Sequence, residues 1–277
     1  MEDYSVFQLY GKPREGQTLE EVEAMLLAEL EKIKKGQFDE WLIKACIKDL
    51  KLSEIRANES NSARASQMTN AFILGTKWDD YVARFDRLEK LTKADIVRFA
   101  NQKFRDNYVV VYKRNGIDPN VPKVEKPAIT PVAVNRTETS KFTEKFLAEE
   151  SPRLQPVFLD FKKDIQTKKL ASGVELDYIK NKNNPTFMLD YIVEMGKTSD
   201  KELAMAISYL PYLGTDKYTA DQLKQEFFKL GLDFSVNVSD DRAYVTLSGL
   251  DESLEAGIQL FEHILANVKG DQKALDN

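Results

Sequence analysis

Residues 205 to 219 read Met205-Ala206-Ile207-Ser208-Tyr209-Leu210-Pro211-Tyr212-Leu213-Gly214-Thr215-Asp216-Lys217-Tyr218-Thr219. They predict the end of one helix, a short loop and the start of another. Pro211 has no N–H for an i→i−4 bond, and Gly214 permits a turn. Thr219-Ala220-Asp221-Gln222 has the spacing of a capping box, in which hydroxyl and amide side chains satisfy the free N–H groups of a first turn. Leu223, Phe227 and Leu230 then fall at i, i+4 and i+7, one helical stripe, and Gly231 stops the helix.

Downstream, Phe234, Val236 and Val238 alternate as a strand. Ser239-Asp240-Asp241 is a charged turn, read as solvated, and Ala243, Val245 and Leu247 alternate again. Asp251 is placed to cap a last helix whose inner face carries Leu254, Ile258, Phe261, Leu265 and Val268. His263 lies off that stripe, beside Glu255, Gln259 and Glu262, and reads as solvent-facing. Upstream, Lys201 to Leu210 predicts a helix with Leu203, Ala206, Ile207 and Leu210 turned inward. Before it, Val174, Leu176 and Tyr178 alternate, then Phe187, Leu189, Tyr191 and Val193, together suggesting a hairpin.

The first part of the chain is helix-rich. Ser5 to Tyr10 reads as a strand. Thr18 and Glu21 have capping-box spacing ahead of Val22, Met25, Leu26, Leu30 and Ile33, and Gly36 closes that helix. Asp39 is a candidate cap for a second helix with Leu42, Cys46, Ile47 and Leu50 inward. A third runs through Met68, Ala71 and Phe72 to Gly75, and a fourth starts near Asp79 with Tyr81, Phe85 and Leu88. Thr92 and Asp95 cap a fifth, bearing Ile96, Phe99, Ala100 and Phe104, and Tyr108 to Tyr112 reads as a buried strand. Two strands so far apart make a poor sheet by themselves, so the expectation is that further strands precede Met1. Residues 116 to 165 hold Pro119, Pro122, Pro127, Pro131, Pro152 and Pro156 and read as a linker. Its Phe142, Phe146, Leu147, Val157, Phe158, Leu159 and Phe161 predict packing across a surface.

Composition narrows the function classes. The 277 residues carry a net charge of −5 with both signs interspersed, which argues against a nucleic-acid footprint. One cysteine, Cys46, rules out an intrachain disulfide; it reads as a small apolar helix residue rather than a reactive thiol. One histidine, His263, rules out every two-histidine zinc site within the chain. A Cys46/His263 site with carboxylates stays open, with no spacing to suggest it. Neither phosphate-binding glycine motif nor G-x-S-x-G occurs. No apolar run reaches the roughly 20 residues that span a bilayer, and Met1-Glu2-Asp3-Tyr4 does not open a signal peptide.

Gly214-Thr215-Asp216-Lys217-Tyr218-Thr219, its amphipathic helix, Leu230-Gly231 and the two alternating strands resemble the M16 (insulinase and pitrilysin-like) zinc metallopeptidases. In that family an H-x-x-E-H motif directly precedes a G-T-x-x-[YF]-[ST] segment. Anchored on Gly214-Thr215, its first histidine falls on Met205, its glutamate on Ser208 and its second histidine on Tyr209. Lys169-Leu170-Ala171-Ser172-Gly173-Val174 resembles the L-x-N-G-[LV] opening of such a domain. Lys12-Pro13, Gly16, Thr18, Glu20-Glu21-Val22, Leu91-Thr92, Asp95-Ile96 and Val109-Val110-Val111 resemble, in order, the end of an M16 second domain.

The resemblance implies an α+β fold of mixed, mainly antiparallel sheets with helices packed on them. Residues 1–115 would be the C-terminal part of a second domain, 116–165 the strap, and 166–277 the domain opening the inactive half. It implies no catalytic or metal-ligating residue in this chain, with Met205, Ser208 and Tyr209 standing at the motif positions, and leaves substrate-binding residues unassigned. Zinc would sit in the parent's other half, and the family's third ligand position would lie beyond Asn277. The implied partners are peptide substrates and the remaining M16 domains, with either a periplasmic or a cytoplasmic parent. The implied role is wall and hinge of a peptide-degrading chamber. The alternatives are a non-catalytic M16-like partner subunit that binds without hydrolysis, and an unrelated α/β binding module.

Overall fold

The computed structural model of the chain describes residues 4–117, 120 and 124–276. They divide into two units, residues 111–180 and the remainder. The class is α+β, as expected from the sequence.

In the larger unit, α1 (Leu19–Lys34), α2 (Trp41–Ala57), α3 (Asn61–Ile73), α4 (Trp78–Val82), α5 (Arg84–Leu88) and α6 (Lys93–Lys103) come first. The boxes at Thr18 and Thr92 form as their spacing predicts, each hydroxyl accepting the N3 N–H while the N3 carboxylate reaches back. Asp39 does not cap α2, whose N-cap Glu40 makes no side-chain bond; Asp39 accepts instead from the Trp41 indole at 3.2 Å. The inward face of α2 is Ala45, Ile47 and Leu52, while Cys46 and Leu50 are exposed. The helix expected from Asp79 through Leu88 is two short helices broken at non-helical Ala83. There the Arg84 guanidinium stacks over the Tyr81 ring at 3.8 Å, donates to the Tyr81 carbonyl and pairs with Glu54.

The two strands expected at Ser5–Tyr10 and Tyr108–Tyr112 do not form. Alternating or apolar sequence becomes a strand only where another edge takes up its backbone bonds. Among the described residues these stretches have none, and Val109 is 88% exposed. The Phe7 ring lies instead against Phe104, 4.6 Å between centroids.

The smaller unit holds α7 (Lys141–Ala148), α8 (Phe161–Asp164), β1 (Gln166–Lys169) and β2 (Glu175–Tyr178). Within this unit the apolar residues Phe142, Phe146, Leu147, Val157, Phe158, Leu159 and Phe161 are exposed. The hairpin differs from the one expected: β2 pairs with β1 across Ala171-Ser172-Gly173, in register Lys169↔Glu175 to Gln166↔Tyr178.

The second alternating stretch, β3 (Thr186–Val193), belongs to the larger unit. There follow α9 (Lys201–Tyr209), a 3-10 turn (Leu210–Tyr212), β4 (Gly214–Thr215), α10 (Ala220–Leu230), β5 (Leu232–Val238), β6 (Ala243–Leu250), α11 (Leu254–Asn267), β7 (Val268–Lys269) and α12 (Gln272–Leu275). The antiparallel sheet runs β3-β6-β5, and β4 pairs with β7. Leu223 and Phe227 of α10 and Phe261 and Ile264 of α11 close over Leu232, Val245 and Leu247. Ala204 of α9 joins Val238 and Ala243; Ala206, expected inward, is exposed.

Gly231 ends α10 in the left-handed region at φ 67°, which turns the chain directly into β5. At Gly257 a Cβ would meet Leu232 Cδ1 at 2.5 Å, so its absence lets α11 lie close on the sheet. Asp251 does not cap α11: a 3-10 turn (Asp251–Ser253) precedes the helix, and Ser253 donates to the Leu230 carbonyl at 2.6 Å. Leu254 and Leu265 are consequently exposed, and the buried face is Gly257, Phe261 and Ile264.

Phe261→Ala should cost about 3–5 kcal/mol in urea unfolding, because a fully buried ring leaves a cavity among three elements. Acid titration offers a second check. The Thr92 hydroxyl and N–H, with Arg98, lower Asp95 from 3.8 to about 2. The unfolded chain therefore takes up this proton first, and stability tied to the cap, complete above the unfolded value, is lost as pH falls through about 2. Asp95→Asn should flatten that part of the acid-unfolding profile.

Candidate functional site

The segment from α9 to α10 folds by local rules. Asp200 caps α9, accepting from the N–H groups of Glu202 (2.9 Å) and Leu203 (3.0 Å). Pro211 lies in the 3-10 turn that ends the helix, and Leu213 is buried. The loop then doubles back: Thr215 N–H donates to the Tyr218 carbonyl at 2.7 Å. A Cβ on Gly214 would stand 2.6 Å from that carbonyl, so this position requires glycine. The buried Thr215 Oγ1 accepts from the N–H groups of Lys217 (3.2 Å) and Tyr218 (3.0 Å). Thr219 completes its capping box with Gln222.

His263 joins this loop and is half-buried rather than solvent-facing. Its Nε2 is 3.1 Å from Thr215 Oγ1 and 3.9 Å from Asp216 Oδ1. Asn267 Nδ2 donates to the His263 carbonyl at 2.9 Å and lies 3.2 Å from Nδ1. Thr215 Oγ1 and Asn267 Nδ2 thus flank the two ring nitrogens and fix the orientation of the imidazole. The Tyr218 ring meets the imidazole edge-on at 5.8 Å. These contacts tie α11 to the loop beside the β4–β7 pair.

Met205, Ser208 and Tyr209 fall at i, i+3 and i+4 of α9 and share one helical face. Met205 is 60% exposed. Ser208 Oγ donates to the Ala204 carbonyl at 2.9 Å, the usual back-bond of a mid-helix serine. The Tyr209 hydroxyl donates to the Asp271 carbonyl and accepts the Asp271 N–H at 3.1 Å, fastening α9 to the cap of α12. A catalytic zinc site requires imidazole, carboxylate or thiolate ligands and a base for the bound water. A thioether and two hydroxyls engaged with backbone do not fit that requirement. Among the described residues no group of three or more His, Cys, Asp or Glu side chains is placed to hold a metal ion. The thiol of Cys46 is pushed up, first by desolvation and then by Asp49, the direction opposite to an activated thiolate.

The sequence reading missed three members of this cluster. Thr215 was legible as a hydroxyl next to a turn glycine, with N–H groups two and three residues on. His263 and Asp271 were not, because their partners lie far away in sequence. Elsewhere a cleft of about 920 Å³ is lined by Ile33, Phe38, Trp41 and Phe228, with Lys32 and Lys93 at its sides; it does not include the α9 face.

No protein-family model and no curated protein matches the chain. Among solved structures it is similar to a peptidase M16 inactive domain from Pseudomonas fluorescens, at 22% identity, TM-score 0.38, over 41% of this chain and 29% of that one. It is also similar to the periplasmic protease PqqL from Escherichia coli, at 12% identity and TM-score 0.37 over 92% and 31% of the two chains. The ferredoxin protease FusC in complex with Arabidopsis ferredoxin gives 12% identity and TM-score 0.36 over 90% and 31%. The chain therefore spans 29% to 31% of the length of these structures.

Thr215→Val should cost about 1–3 kcal/mol, since two loop N–H groups and the imidazole lose their shared partner. Urea unfolding measures the loss, and the resonance of this lone histidine should shift in the same variant.

Proposed function

We propose that this chain is a non-catalytic segment of an M16-like zinc metallopeptidase. Residues 1–115 close a second domain, 116–165 form the strap, and 166–277 open the inactive half. In the parent it serves as wall and hinge of a chamber that degrades peptides, with the zinc held elsewhere and the other M16 domains as its partners. The observation that carries this reading is the order of parts around the loop. A helix with motif positions on one face runs through a 3-10 turn into Gly214-Thr215, a threonine-capped helix, Leu230-Gly231 and an antiparallel pair of strands. The motif positions hold Met205, Ser208 and Tyr209, and two of these side chains brace the helix rather than face a ligand. The half-exposed stripe of α1, which has no fully buried residue, supports a segment that expects further domains against it.

The test is a peptidase assay on the purified chain, with quenched fluorescent peptides, added zinc, and metal analysis after dialysis. The expected result is no cleavage above the blank and zinc well below stoichiometric. Chelator-sensitive cleavage accompanied by near-stoichiometric zinc would overturn the reading.

A further inference from the structure

One face of α2 touches a part of the chain far away in sequence. Trp41, Ala45, Lys48, Leu52 and Arg56 fall at i, i+4, i+7, i+11 and i+15, a single helical stripe. Ala45 and Leu52, in that stripe, are buried. The other three meet the C-terminal sheet and its helices. The Lys229 ammonium of α10 stands over the Trp41 ring at 4.7 Å. The Lys48 ammonium pairs with Glu252 at 3.1 Å. Arg56 pairs with Asp233 and donates to Ser248 Oγ at 3.0 Å. Asp233 and Ser248 are partners across the β5–β6 ladder, so one guanidinium fork spans both strands. Just past the helix, Glu59 accepts from Asn184 Nδ2 at 2.8 Å.

The backbones come close as well as the side chains. Helix α10 packs along α2. At Gly231 a Cβ would stand 3.2 Å from Lys48 Cβ, so the glycine that turns α10 into β5 also leaves room for α2. Each cation of the stripe meets a carboxylate: Lys48 meets Glu252, and Arg56 meets Asp233. The covalent path between these two surfaces runs through residues 111–180, which form a separate unit.

We propose that the α2 stripe is a docking face, keyed by charge, whose partner is the segment 181–277 of this same chain. The face holds residues 1–110 to that segment without help from the covalent path between them. A contact kept only by its tether would behave differently, because a flexible tether raises the local concentration to about the millimolar range and lets a weak interface persist only while the chain is whole. The inference is independent of the peptidase reading.

The test cuts the chain and asks whether it stays together. A recognition site for a sequence-specific protease is inserted between Val132 and Ala133, and the purified full chain is cleaved and passed over a sizing column at about 1 µM, far below what a tether supplies. The two fragments should elute together at the position of the uncut chain. In the cut chain Arg56→Glu should weaken association about fivefold, and Arg56→Glu with Asp233→Arg should restore most of it. Lys48→Glu, alone and with Glu252→Lys, repeats the comparison at the second ion pair. Circular dichroism of each uncut variant verifies the fold. Fragments that separate or elute in the void volume would overturn the proposal. So would fragments that stay together equally well whatever the charges at positions 48 and 56.

Discussion

Phe261 is the contact on which the C-terminal half depends. It is 0% exposed and touches Tyr191 of β3 and Phe234 of β5, with ring centroids 4.9 and 5.6 Å away. Phe227 of α10 stacks on Phe234 in turn. One side chain on α11 thus reads the positions of both outer strands while Leu247 holds the middle. Gly257, one turn earlier, removes the bulk that would hold the helix off the sheet. Removing this contact would free α11, and with it the His263 bond to the loop and the short β7.

That chain of dependence explains the residues around Gly214-Thr215. The glycine is required because a carbonyl occupies the space of a side chain, and the threonine because its oxygen gathers two N–H groups and an imidazole. Neither requirement involves a metal. The loop therefore holds its shape through its own hydrogen bonds, and the polar side chains of the preceding α9 find separate partners. Ser208 and Tyr209 find them in backbone groups, and Met205 lies in the open.

What the sequence made legible was local. The boxes at Thr18, Thr92 and Thr219 and the stop at Gly231 need only a few neighbouring residues, and all four form. The alternation in β5 and β6 was legible because one face is buried and the other is not. The failures were of two kinds. Ser5–Tyr10 and Tyr108–Tyr112 have the composition of strands, but a strand is completed by a partner that composition does not specify. Helix faces at Cys46, Ala206 and Leu265 were misassigned by one or two positions, the buried residues being Ala45, Ala204 and Ile264, and on a helix that is enough to move a residue from core to solvent. That Met205, Ser208 and Tyr209 share one face of α9 was legible from their helical spacing. The bonds that now engage Tyr209 and His263 join residues distant in sequence.

Strand β3 acquires its neighbour late. Val193 must wait for Ala243, and Thr186 for Leu250, with α9, α10 and β5 made in between. During synthesis both margins of this apolar stretch are bare until β6 has left the ribosome. The capped helices meanwhile need only local sequence to start. The β3–β6 ladder is thus a non-local pairing, closed only after α9, α10 and β5 have been made.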